Sequence, residues 1–362
     1  MSRYSLLLLF MMSGCVLLAQ KKDQSSTTDP FAGQQQLLEE AVRNGQYTGV
    51  VAGMWRDGTI QWIGGAGHRD LDAQIPADSN MIHRIASIAK PMTAVAIMQL
   101  VERGQLDLDA SIQTYVPGFP EKKKGVITVR DLLSHGSGIR NYKNDREGFP
   151  TEHYASLTDA MAVFHDRRLL FEPGTSYSYA TYNYVVLGVI IEAVSGQSYE
   201  DYMREHIWEP AGMTSTSVEQ AGTQYKNKAV LYSKAKDGAW ERAPQTDLSL
   251  KIPGGGLQST LGDLLRFGEA IINDKLISRS SLEMMIRDTG LKTQGNPYGL
   301  GWYIYGQGDS PSGSIIGHSG SQMGTSSQLG IFLDANLVVA GFSNTTDSWG
   351  DLVKLVFQLP NP

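Results

Sequence analysis

Two places in the 362-residue chain set a serine three residues ahead of a lysine. One is Ser87 and Lys90 in RIASIAKPMT (84–93); the other is Ser233 and Lys236 in YSKAKDGAW (232–240). On a helix, positions i and i+3 share a face, so the amine can take the hydroxyl proton and leave a nucleophilic oxygen. Burial would lower such a lysine from its ordinary ~10.4 towards neutrality, and the positive helix start favours negative charge developing there. Ser233 lies in a charged, turn-rich stretch with no helix after it. Ser87 opens a long apolar run, VAIMQLV included. The plainer alternative for Ser87 is a helix cap beside a snorkelling lysine, and this stretch alone leaves the two readings in balance.

Other chemistries lack their residues. No serine has glycine at both −2 and +2, and there is no His-Glu-x-x-His, paired-cysteine or Gly-Lys-Ser/Thr signature. The histidines at 68, 83, 135, 153, 165, 206 and 318 show no i, i+4 ligand pair, so neither a metal nor another cofactor is expected. A net charge of −6, with Lys122-Lys123-Lys124 as the longest basic run, argues against nucleic acid as a partner.

The elements that must position Ser87 are legible from periodicity. A helix is expected over 33–44, then a hairpin of GVVAGMW (49–55) and TIQWIGGAG (59–67) about an Asp57-Gly58 turn. The helix over 87–103 is apolar almost all round and must be buried. Residues 105–255 carry short helices at 129–135, 157–166 and 182–196 among Pro/Gly turns. A further helix follows Thr260, with Asp263 as its capping partner. Strands return at 299–305, 327–334 and 337–344. The expected architecture is α+β: an antiparallel sheet from both chain ends, flanked by helices, with a mainly helical region inserted.

Arg3 and the apolar run of residues 6–19, followed by the polar KKDQSSTTDP, read as a secretory signal over 1–20, with a flexible leader over 21–32. Cys15, the only cysteine, follows Met12-Ser13-Gly14, which resembles a bacterial lipobox. It is either a lipidation site giving membrane attachment or a residue removed with the signal. Both readings place the protein outside the cytoplasm, in the periplasm or anchored on its periplasmic side.

Four ordered segments resemble a single family. They are RIASIAKPMTAVAIMQLVERGQLDLD (84–109) with VRDLLSHGSGI (129–139), FEPGTSYSYATYNYVVLG (171–188), PGGGLQSTLGDLLRFG (253–268) and IIGHSGSQMGTSSQLGIFLD (315–334). Together they are similar to the serine β-lactamase-related family. That family includes class C β-lactamases, penicillin-binding DD-peptidases, related esterases and the mitochondrial β-lactamase-like serine proteases, the last subgroup being nearest. The resemblance covers roughly 33–355 and implies one β-lactamase/transpeptidase-like domain over 33–360.

It also implies an exported serine hydrolase working through an acyl-serine. Ser87 would be the nucleophile, Lys90 its base and Tyr179 the proton shuttle to the leaving group. The backbone N–H groups of Ser87 and Ser321 would form the oxyanion hole, with His318, Ser319 and Gly320 lining the substrate strand. Tyr177, Tyr182 and Tyr184 are assigned to packing, and His135 to holding a loop. Two positions depart from the family pattern. Thr181 replaces the asparagine of the second motif, with its hydroxyl left to bond Lys90 or substrate, and His318 replaces the lysine of the third. Histidine is mostly neutral at pH 7, so peptides or esters are expected as substrates rather than β-lactams, with acidic substrates favoured once His318 is protonated. The alternatives are a true β-lactamase or DD-peptidase, and, in another class, a catalytically inactive binding protein. The expected partner is a small-molecule or peptide substrate, and nothing points to an obligate protein partner.

Overall fold

The computed structural model describes residues 29–306 and 313–362; the expected signal, the lipidation candidate Cys15 and most of the leader lie outside the described residues. β1 (Gly49–Arg56) and β2 (Thr59–Asp70) form the expected hairpin. Its turn places Asp57 (φ 49°) and Gly58 (φ 92°) in the left-handed region, the geometry that matches strand twist in a two-residue connection. A short β3 (Ile75–Pro76) edges β2. From the far end of the chain come β4 (Tyr303–Gly306), β5 (Ile315–Gln322), β6 (Thr325–Phe332) and β7 (Leu337–Ser343). The seven strands are antiparallel neighbours in the order β3-β2-β1-β7-β6-β5-β4, so the two chain ends meet where β1 pairs with β7.

Alternation along β1 and β7 builds a core on each face of this sheet. Val50, Ala52, Met54, Leu337 and Val339 pack under α1 (Ala32–Arg43) and the C-terminal helix 349–358. Val51, Trp55, Val338, Ala340 and Phe342 belong to the larger core shared with α2 (Ala89–Glu102), α3 (Thr181–Ser195) and α4 (Leu261–Ile272). Both faces being covered, the central strands are apolar nearly throughout. Between 105 and 255 the chain forms, besides the 15-residue α3, short helices and a few two- or three-residue strands.

Three local expectations are revised. The helix expected over 87–103 splits into a 3-10 turn, Ala86–Ile88, and α2, because Ala86 adopts φ 47°. The strand expected over 299–305 begins only at Tyr303. Gly301, at φ 92°, passes so close to α2 that a Cβ would lie 2.4 Å from that of Ala94. Asp263 is half of the expected capping pair: its N–H donates to Thr260 Oγ1 at 3.4 Å, but its carboxylate accepts from Ser215 N and Thr216 Oγ1.

Candidate active site

Ser87 sits in the 3-10 turn at the head of α2, where it makes no capping bond. Lys90 Nζ donates to Ser87 Oγ at 2.9 Å and to the carbonyl of Gly254 at 2.6 Å. The lysine is fully buried and, among the described residues, pairs with no carboxylate. Burial first, and the nearby cation Lys251 second, hold its pKa well below the ordinary lysine value. The cap-plus-snorkelling alternative therefore fails on both counts: the hydroxyl caps nothing and the amine does not reach solvent.

The turn is fixed against the sheet. Ser327 Oγ, on β6, donates to the carbonyl of Ile85 at 2.8 Å. Gly320 lies opposite Ser327 on β5, and a Cβ there would meet Ser327 Oγ at 2.3 Å, Ile85 O at 2.7 Å and Ala86 Cβ at 2.9 Å. Only a glycine lets β5 pass so close to the serine turn. Ser321, the next residue, is exposed beside Ser87 and lines the cleft with Ser319.

Tyr179 comes from the segment before α3. Its phenol is buried beside Ser87; burial first, then the neighbouring Tyr303, hold its pKa well above 10 against a smaller opposing effect of the Ser87 hydroxyl. The ring lies 4.9 Å from Lys90 Nζ. His135 grips the segment on either side of Tyr179. Its carbonyl accepts Ser178 N–H at 3.0 Å, and its Nδ1 accepts Ala180 N–H at 3.2 Å. His135 adopts φ 60° and packs 4.3 Å from the Tyr179 ring, so it holds a loop, as the sequence suggested.

His318 is 1% exposed on β5. Its Nδ1–H donates to the Ser319 carbonyl at 2.6 Å, and its Nε2 accepts the Tyr298 hydroxyl at 3.1 Å. Burial first, then the charge of Lys90, lower its pKa to about 3. This runs against the expectation that protonating His318 would favour acidic substrates: burial disfavours the charged ring, and both nitrogens are engaged within the protein.

Thr181 is also revised. It does not bond Lys90, whose second partner is Gly254. Its N–H donates to Asn141 Oδ1 at 3.0 Å, and its side chain lies beside the Tyr142 phenol. Tyr182 and Tyr184 are buried, as expected, with Tyr182 stacked on Phe164 and the Tyr184 hydroxyl donating to Leu133 O. Tyr177 instead lines the cleft. Ser233 lies in a short strand (Tyr232–Lys234), remote in sequence and setting from these groups.

Two clefts flank Ser87, and Tyr179 and Ser321 border both. One, of about 500 Å³, is walled by Tyr177, Tyr303, Tyr305, His318, Trp349 and Val353. The other, of about 420 Å³, runs past Asn141, Tyr142, Thr181, Lys251, Gly254 and Gln322. Asn141, Lys251 and the Gly254 carbonyl were not singled out from the sequence. Lys251 and Gly254 lie in or beside the glycine-rich PGGG segment, the only signal that pointed near them.

The arrangement has known counterparts. The beta-lactamase family model matches residues 35–356. The human mitochondrial serine beta-lactamase-like protein LACTB is 32% identical, with 62% of this chain and 53% of that protein covered. The chain thus spans about half the length of these mitochondrial relatives. Penicillin-binding protein 4* of Bacillus subtilis (strain 168) is 29% identical, with 86% and 71% covered. Among solved structures, the D-stereospecific amidohydrolase of a Streptomyces species superposes with a TM-score of 0.77 at 27% identity, covering 91% of this chain and 98% of that one. With a family match running from α1 into the C-terminal helix and the same fold in an amidohydrolase, the chain belongs to the beta-lactamase family, a group of serine hydrolases with amidase and penicillin-binding relatives.

Proposed function

We propose that the chain cleaves ester or amide bonds through an acyl-enzyme on Ser87. The observation that carries this reading is the buried, carboxylate-free Lys90 amine set 2.9 Å from the serine hydroxyl. An amine whose pKa is depressed is neutral at moderate pH and can accept a proton. In acylation, Lys90 takes the Ser87 proton as Oγ bonds to the substrate carbonyl carbon, with the oxyanion received by the Ser87 and Ser321 N–H groups. The Tyr179 phenol then protonates the leaving alcohol or amine as the carbon–leaving-group bond breaks, and Lys90 returns the serine proton to the phenolate. In deacylation, water attacks the ester carbonyl and the same groups carry its proton back to Ser87 Oγ. Tyr179 serves as the acid because its pKa lies above 10; Lys90 serves as the base.

The amidohydrolase and penicillin-binding relatives support small amide or peptide substrates. Poor β-lactam turnover is part of the proposal, since His318 offers no permanent charge to a β-lactam carboxylate. A panel of 4-nitrophenyl esters, D-amino-acid peptides and nitrocefin, run beside Ser87→Ala, tests it. Ester or peptide hydrolysis that disappears in Ser87→Ala is expected; turnover surviving in that variant, or rapid nitrocefin hydrolysis at neutral pH, contradicts it.

A further inference from the structure

Lys251 is 3% exposed, at the end of a 3-10 turn (Ser249–Lys251), and it lines the cleft on the Thr181 side of Ser87. Its Nζ donates to the carbonyl of Gly148 and lies 5.2 Å from the Tyr142 ring centroid and 5.8 Å from that of Phe149. Among the described residues no carboxylate pairs with it. A buried cation without an anion is costly to keep, and one carbonyl with two ring faces compensates it only in part. Two of its three N–H bonds have no protein acceptor among the described residues.

The rest of the wall is mixed, with Gln322 leaving a buried Oε1 acceptor without a partner among the described residues. Asn141, which also lines the cleft, accepts the Thr181 N–H at Oδ1, and its amide N–H groups have no partner among the described residues. Lys90 lies close enough for the Lys251 charge to lower its pKa, after burial. Lys143 and Asp145, on the exposed rim, oppose each other in sign, and Tyr142 and Tyr179 are neutral there. Burial and the charge of Arg84 push Lys251 down to about 7, a position from which a bound anion would raise it again.

We propose that this cleft is an anion subsite in which Lys251 receives a carboxylate carried by the substrate. The preferred substrates are then esters or amides that bear a free carboxylate, recognised on the Thr181 side of Ser87 and not through His318. The inference rests on the serine-hydrolase reading above.

The test uses the mono-4-nitrophenyl esters of adipic, pimelic and suberic acid, each beside its neutral methyl ester. At one chain length at least, the intact protein should favour the acid by about tenfold in kcat/KM, mainly through KM, the size of one charge-assisted contact. Lys251→Met should abolish that preference, read as the acid-to-neutral ratio so that any change transmitted to Lys90 cancels, and Lys251→Arg should retain part of it. Equal use of acid and neutral ester by the parent overturns the subsite without any variant. So does a Lys251→Met protein that slows both alike, the mark of a loop support. Calorimetry on Ser87→Ala, titrated with the same pairs, reads binding without turnover. Tighter binding of the acid supports the subsite even if hydrolysis fails, and equal binding overturns it whatever the chemistry does.

Discussion

Replacing Lys90 by Met separates its chemical from its structural contribution. Loss of a positioned base should lower turnover by about 10²–10⁴-fold. Melting should shift by only a few degrees, because the variant gives up two hydrogen bonds but no longer buries an unpaired amine. Calorimetry beside ester kinetics checks this, and a variant with full activity removes Lys90 from the mechanism. The pH dependence follows from the same group. The neutral amine forms as pH rises through the depressed Lys90 value, so kcat/KM for a neutral ester should climb and level off well below the ordinary lysine range. His318, at about 3, adds no inflection between pH 5 and 8, so a His318→Asn variant should keep the shape of the profile. At this scale the sequence was partly legible. The three-residue spacing placed Lys90 on Ser87, since helical geometry is local. The state of His318 was not legible, because it depends on the tyrosines 179, 298 and 303 that the fold packs around its ring.

At the scale of elements, the site depends on how closely β5 passes the turn at Ala86–Ile88. Ala86 stands at φ 47°, which costs about 1–2 kcal/mol in an alanine and aims Ser87 away from an ordinary helix start. Gly320 makes the approach possible. A Gly320→Val variant should reduce kcat/KM by at least about 100-fold, by forcing Ser327 and Ile85 apart and displacing the Ser321 N–H from the oxyanion position. Ester kinetics with circular dichroism checks that the fold survives; a folded, fully active variant would contradict the role given to this contact. Apolar runs bounded by turns made β1, β6 and β7 legible, and Asp57-Gly58 marked the hairpin turn from β1 into β2. The late start of β4, at Tyr303 and not at 299, was hidden, because it comes from the close contact of Gly301 with Ala94 on α2. Likewise Lys251, Asn141 and the Gly254 carbonyl reach Ser87 only through long-range packing, and no local spacing announces it.

The whole molecule closes its sheet by pairing β1 with β7, and buried histidines sit around that sheet. His83 stacks on Phe342 of β7 at 4.9 Å, and burial lowers its pKa to about 4; His318 is lower still. Both bind protons more readily in the unfolded chain, whose value is near 6.5. Stability should therefore rise with pH between about 4 and 6.5 and be lost on acidification through that window. His83 alone accounts for ~3 kcal/mol at the acid end, from about 1.4 kcal/mol per pKa unit. Denaturant melts at pH 7 and pH 4.5 should show this fall, and a His83→Leu variant should show a shallower one; equal slopes would contradict it. The central claim, that Ser87 becomes acylated with Lys90 as its base, is tested most directly by intact-mass and peptide mass spectrometry after exposure to a fluorophosphonate. A single adduct on the peptide containing Ser87 is predicted, absent in Ser87→Ala and formed far more slowly in Lys90→Met. An adduct on another residue, or unchanged labelling in either variant, would contradict the account.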